Sequence, residues 1–136
     1  MEDVEIAMKF LDSDFIINVL RKNPAVTAKF DEIFNEETGT TVVNEFEVLY
    51  GAIHAKRQPN IDETKRFFSF VTVLDFDRKA AQKAAEIHEH LAATSGAQLD
   101  AKDLFIGAIV LSNNGTLLTR NAKHFERIPG MKIEKW

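Results

Sequence analysis

Apolar positions along this chain switch repeatedly between a short strand-like period and a helical one. Met8 to Leu11 is a brief run of strand character that passes straight into Phe15 to Lys22, where apolar residues recur at helical spacing until Pro24. Ala25 to Glu37 carries Val26, Phe30, Ile33 and Phe34 on one helical face, with Gly39 as the expected stop. Thr40 to Val43 is β-branched throughout and predicts a strand, followed by a helix over Glu45 to Lys56 that Pro59 closes. A helix over Asp62 to Phe70 and a strand over Val71 to Leu74 come next, then a long alanine-rich helix from Asp77 to Ser95 that Gly96 ends. Leu104 to Leu111 predicts a further helix, Gly115 a turn, Thr116 to Thr119 a strand, and Met131 to Ile133 a last one. Strands that alternate with helices predict an α/β fold with a mostly parallel central sheet covered on both faces.

No repeat, low-complexity segment or linker interrupts this pattern, and 136 residues at 45% hydrophobic suit one domain, residues 1–136, around one core. The longest apolar run, Leu104 to Leu111, is far short of the roughly 20 residues that span a bilayer, and the opening MEDVEIA is acidic where a signal peptide is basic. A soluble, cytoplasmic chain with no membrane partner is expected. The absence of cysteine excludes disulfides and thiolate metal sites, leaving oxygen or imidazole as metal ligands. Net charge is −4, which argues against generic nucleic-acid affinity. The charge is uneven, however: Arg120, Lys123, Arg127, Lys132 and Lys135 against Glu126 and Glu134 leave the last stretch at +3 and the rest at −7. A basic tail beside an acidic body can form a phosphate-facing edge.

In an open parallel sheet the carboxyl ends of the strands and the helix starts that follow gather at one rim, where ligands bind. The acids of interest fall at such junctions. Asp12 and Asp14 follow the first strand, Glu47 lies in the first turn of the helix after the second, Asp103 opens the helix before Thr116, and Asn121 follows that last strand. Each acid has a structural reading: Asp14 as the cap of a helix beginning at Phe15, and the pairs Asn44 with Glu47 and Asp100 with Asp103 at capping-box spacing. Asp12 suits that reading least, because Asp14 is better placed to cap. Jointly, carboxylates within about 4 Å repel by roughly 4 kcal/mol per pair at an effective dielectric of 20, a conflict that a hard divalent cation such as Mg²⁺ or Mn²⁺ removes. Such an ion suits phosphoryl chemistry.

The wording around these residues is what resembles a family. FLDSDFIINVLR, TTVVNEFEVLYGA, LDAKDLFIGAIVLSNNGTLLTRNAKHF and ERIPGMKIEKW resemble, in order and over nearly the whole chain, the PIN-domain ribonucleases of the VapC toxin type. The resemblance implies a three-layer α/β/α fold, Mg²⁺- or Mn²⁺-dependent hydrolysis of RNA by metal-activated water, homodimerisation, and neutralisation by a cognate VapB-like antitoxin. It matches Asp12, Glu47 and Asp103 to the family's metal-binding and catalytic acids. Asn121 falls where many relatives carry a fourth acid, so it is expected to orient water or substrate, since an amide brings no charge to a cation. Asp14 falls at a polar position near the metal, and Asp100 is a secondary candidate. Ser13 and Thr119 are expected as hydrogen-bonding neighbours of the rim, although such residues commonly satisfy a turn. Arg120 and Lys123 are candidates for gripping the RNA backbone, against the common alternative of simple solvation.

Other signals carry less. His88 and His90 are two apart and cannot share a helical face as ligands do. His54 is isolated, and His124 suits a packing or surface role as well as a catalytic one. Glu45 reads as solvated. Phe67, Phe68 and Phe70, with Phe30 and Phe34, read most simply as core and less readily as a dimer surface. The competing functions are a catalytically silent PIN-like binding module and a haloacid-dehalogenase-type phosphatase, which the Phe15 and Ile16 that follow Asp14 disfavour.

Overall fold

The computed structural model describes residues 8–34, 37–55, 59–94 and 99–136. Its sheet is built from β1 (Lys9–Leu11), β2 (Thr38–Thr41), β3 (Thr72–Leu74), β4 (Thr116–Thr119) and β5 (Lys132–Lys135), in the order β3-β2-β1-β4-β5. Every pairing is parallel, with Phe10 opposite Gly39 and Leu117, and Thr119 opposite Lys135. Between the strands run α1 (Ser13–Leu20), α2 (Pro24–Ile33), α3 (Val42–Ala55), α4 (Ile61–Phe70), α5 (Arg78–Thr94), α6 (Ala101–Ser112) and the short α7 (Ala122–Phe125). This is the three-layer α/β/α arrangement.

Alternation along the two inner strands divides the core. Phe10 and Leu117 join Ala84, Ile87, Ile106 and Ile109 of α5 and α6 on one face, while Leu11 and Leu118 join Phe15, Ile16, Val48 and Phe68 on the other. No helix among the described residues is long and apolar enough to cross a membrane.

Several expected boundaries move, each for a local reason. Val42 and Val43 begin α3 instead of ending β2, because the Thr41 hydroxyl accepts the Asn44 amide and starts the helix there. Gly39 is inside β2 and stops no helix; α2 ends at Ile33, and a Cβ on Gly39 would come within 2.6 Å of Met8 Sδ and 2.8 Å of the Thr72 carbonyl. The expected stop at Gly96 and the helix end at Ser95 lie outside the described residues. The phenylalanine cluster is only partly core. Phe68 is buried, but Phe34 and Phe70 are exposed and, with Phe30 and Phe67, line an apolar cleft of about 410 Å³ between α2 and α4.

The edge strand β5 is tied down electrostatically: Glu134 meets Lys9 and Lys29, each at 3.2 Å. Partial burial would raise its pKa, but hydrogen bonds from the two lysines outweigh that and lower it.

Where the chain leaves α6 and enters β4, Gly115 packs directly on the fully buried Phe10 ring, which a Cβ would overlap, with the Met8 carbonyl 3.1 Å away on another side. Gly115→Ala therefore forces an immobile ring and the backbone of β1 to move. Thermal denaturation is expected to show a loss of about 2 kcal/mol, or about 5–10 °C in Tm.

Candidate active site

The carboxyl edge of the sheet collects most of the buried polar groups: Asp12, Thr41, Asn44 and Thr119. Asp12, the residue after β1, is 6% exposed, and its two oxygens are held by separate elements. Oδ1 accepts from the Ser13 amide (2.9 Å) and from Asn44 Nδ2 (3.1 Å), while Oδ2 accepts from the Thr119 hydroxyl at the end of β4 (2.5 Å). Asn44 is fully buried in the first turn of α3, where its Oδ1 accepts from Thr41 Oγ1 (2.7 Å) and its Nδ2 also donates to Ser13 Oγ (2.9 Å). Ser13 Oγ in turn donates to Glu47 Oε1 (2.9 Å). One continuous network thus runs from Thr119 through Asp12 and Asn44 to Glu47.

Two of the acids carry positive or polar neighbours. Lys102 Nζ is 3.4 Å from Glu47 Oε2, and His124 Nδ1 lies 3.2 Å from Asp103 Oδ2. Burial raises the Asp12 pKa above its ordinary value near 3.8; the charge of Glu47 adds to the rise, and the hydrogen bonds from Thr119, Ser13 and Asn44 oppose it. Desolvation wins, so the ionised carboxylate is held at a cost.

The donor chemistry at Asp12 suits a hard divalent cation: its carboxylate is destabilised by burial and by the charge of Glu47, which an ion would relieve. Among the described residues, Asp12 Oδ2 accepts one hydrogen bond, from Thr119, and keeps a lone pair for such an ion. Among the described residues, no three His, Asp or Glu side chains are gathered closely enough to hold a metal ion. Glu47 and Asp103 stand instead beside Lys102 and His124.

Residues 9–131 match the PIN domain family. The chain belongs to that family, among the proteins of VapC type. A relative from Salmonella typhimurium named tRNA(fMet)-specific endonuclease VapC is 31% identical over 134 residues, covering 95% of this chain and 98% of the relative. Ribonuclease VapC2 from Rickettsia felis is 26% identical, with 93% and 96% covered. Among solved structures, DNA-bound VapBC from Salmonella typhimurium superposes with a TM-score of 0.79 at 26% identity, covering 97% of this chain and 99% of that one. The Rickettsia felis VapBC2 structure, bound to a promoter DNA fragment, reaches 0.82 at 24% identity with 95% and 98% covered, a likeness of fold.

Placing the expected residues on this PIN domain corrects three of the local readings. Asp12, not Asp14, is the N-cap of α1, because its own carboxylate reaches the Ser13 amide and the helix starts two residues earlier than expected. Asp14 is left exposed in the first turn. The pair Asn44 and Glu47 is no capping box: Thr41 caps, and Glu47 turns to Ser13. Asp100 does cap α6, accepting from the Lys102 amide at 2.9 Å, but Asp103 points to His124 and does not reach back to it. Ser13 and Thr119 both bond to the acids of the rim, and the Asn121 amide donates to Thr119 Oγ1 (2.9 Å) while its residue stays exposed. Arg120 and Lys123 are exposed on the same side.

Asn44 is the site residue that sequence reasoning missed. Its signal was available: Thr41-Val-Val-Asn44 has the spacing of a threonine cap with a polar group three residues on. Asp12→Asn is expected to raise Tm by about 2–5 °C at pH 7, because it removes a buried charge at constant shape while Thr119 and Asn44 can still pair with the amide. Since the Asp12 pKa is raised on folding, the penalty is present above that raised value and absent once both folded and unfolded forms are protonated. The Tm advantage should therefore shrink to nothing as pH falls below about 4, and melting curves from pH 3 to 8 check it.

Proposed function

We propose that this chain is a divalent-metal-dependent endoribonuclease, the toxin of a toxin–antitoxin pair, acting in the cytoplasm as a single PIN domain over residues 1–136. The observation that carries this reading is the buried Asp12 carboxylate, joined by Asn44 and Ser13 to Glu47, with Asp103 in the first turn of α6 and Asn121 at the start of α7. Asp12, Glu47 and Asp103 are the catalytic acids and the ligands of Mg²⁺ or Mn²⁺. When bound, the ion supplies a Lewis acid for a phosphate oxygen and for the water that attacks phosphorus. The protein's own groups do the rest. Thr119 and Asn44 fix the direction of Asp12, and Ser13 fixes that of Glu47. Asn121 presents an uncharged amide to substrate or water, and Arg120 and Lys123 contact the RNA strand.

The relatives' names support the ribonuclease chemistry, and the solved VapBC complexes support a VapB-like antitoxin as partner. Exposed apolar surfaces support protein partners in general. Phe46, Tyr50 and Ile53 of α3 are about half exposed (59%, 55% and 49%), beyond what a helix in water ordinarily shows, and favour a homodimer.

The test is cleavage of RNA by antitoxin-free protein with Mg²⁺ or Mn²⁺, beside Asp12→Asn, Glu47→Gln and Asp103→Asn. Each variant is expected to lose about 100-fold or more in rate while keeping a cooperative melt. Equal cleavage by parent and variants, or none by the parent with either metal, sinks the nuclease reading. Release of phosphate from a small phosphomonoester would instead favour a phosphatase.

A further inference from the structure

Beyond the acids, the rim continues into a second cavity that they do not line. It is about 370 Å³, large enough for a small ligand, and is walled by Arg120, Asn121, Lys123 and His124 from the β4–α7 junction and by Lys135 and Trp136 at the end of β5. Parallel pairing puts Lys135 opposite Thr119, whose hydroxyl holds Asp12, so the cavity opens one strand away from the buried carboxylate. His124 links it to the other side of the site through Asp103.

Its chemistry differs from that of the acid site. Among the described residues its wall has three cationic side chains and no acidic one. Among the described residues, Lys135 alone of the three meets an acidic side chain, Glu126 at 3.9 Å with both side chains mostly exposed, a contact of little strength. Arg120 lies over the Trp136 ring, 3.7 Å from guanidinium carbon to centroid. Trp136 is itself anchored, its ring standing edge-on to buried Phe15 at 5.2 Å. The guanidinium is thereby held over an aromatic that the core immobilises, at low entropic cost for whatever stacks next.

A flat cation–aromatic pair flanked by lysines, next to a phosphodiester-cleaving site, matches one ligand class. We propose that this cavity binds the nucleotide adjoining the scissile phosphate of single-stranded RNA, its base against the Arg120–Trp136 pair and its phosphate between Lys123 and Lys135. Bases of unpaired RNA stack on arginine planes and aromatic rings, whereas a duplex hides those faces. An acidic peptide would use the lysines but leave the stacked pair without a role. This subsite rests on the ribonuclease reading for its place on the substrate, but its binding can be measured without cleavage.

Trp136 is the sole tryptophan of the chain, so its fluorescence reports on this cavity alone. Titrate the full chain, in EDTA, with a single-stranded RNA hexamer, while following binding independently by anisotropy of a labelled copy. Binding should change Trp136 emission. Arg120→Lys should weaken it about tenfold with an unchanged salt dependence, since charge is kept and stacking lost. Lys135→Gln should reduce the slope of log affinity against log salt by about 0.7, one phosphate contact fewer on a single strand. RNA binding that leaves Trp136 emission unchanged, Arg120→Lys binding as tightly as the parent, or a deca-glutamate peptide competing as well as RNA would overturn the proposal. Metal-dependent cleavage without any Trp136 response would overturn this subsite alone, while a Trp136 response in a protein that never cleaves would support the subsite and overturn the ribonuclease reading.

Discussion

The Asp12 carboxylate is buried at the end of the central strand, and most of the polar architecture around it follows from the need to satisfy both its oxygens. A buried carboxylate without donors costs several kcal/mol, and here the donors come from three places: its own helix start, α3 and β4. That requirement explains why Thr119 and Asn44, both polar, are fully buried. It also fixes how α1, α3 and the two inner strands meet. The helices at the rim are registered by hydrogen bonds as much as by apolar packing.

The same arrangement keeps the site under electrostatic tension. The donors are insufficient to offset desolvation, and Glu47 makes the ionised form of Asp12 still less favourable. A core built for stability alone would place a neutral group there. Retaining the acid concentrates negative potential where a cation or a phosphate-bound ion can use it, a local sacrifice of stability of the kind that functional sites make. Around this acidic centre the molecule distributes cations outward: Lys102 on Glu47, then Arg120, Lys123 and Lys135 along the β4–β5 side. Attraction for a metal and attraction for a polyanion are thus separated in space, which a chain of net negative charge needs if it is to bind RNA at one edge.

Much of this was legible before any coordinates. The alternation of short β-branched runs with amphipathic segments gave the α/β class, because periods of two and 3.6 are imposed by local backbone geometry. Acids at strand-to-helix junctions were legible for the same reason, since junctions of a parallel sheet share an edge. Boundaries suffered where tertiary contact outweighed local preference. Val42 and Val43 favour a strand by propensity, yet Thr41 starts a helix on them. Gly39 reads as a stop, but its role is to let β2 approach Met8 and Thr72 closely. The four residues of α7 are too few for a period to show.

By itself, then, the sequence determined the order of elements apart from α7, the two-sided core and the candidacy of Asp12, Glu47 and Asp103, all of which depend on residue type and spacing over a few turns. Only the tertiary structure decided which of two neighbouring aspartates is buried, because that turns on Thr119 and Asn44, 107 and 32 residues away along the chain. It likewise brought Trp136 beneath Arg120 and both beside the rim, through the parallel pairing of β5 with β4. Contacts of that range leave no local pattern. They exist only when the sheet closes and desolvation makes each unpaired polar group find its partner.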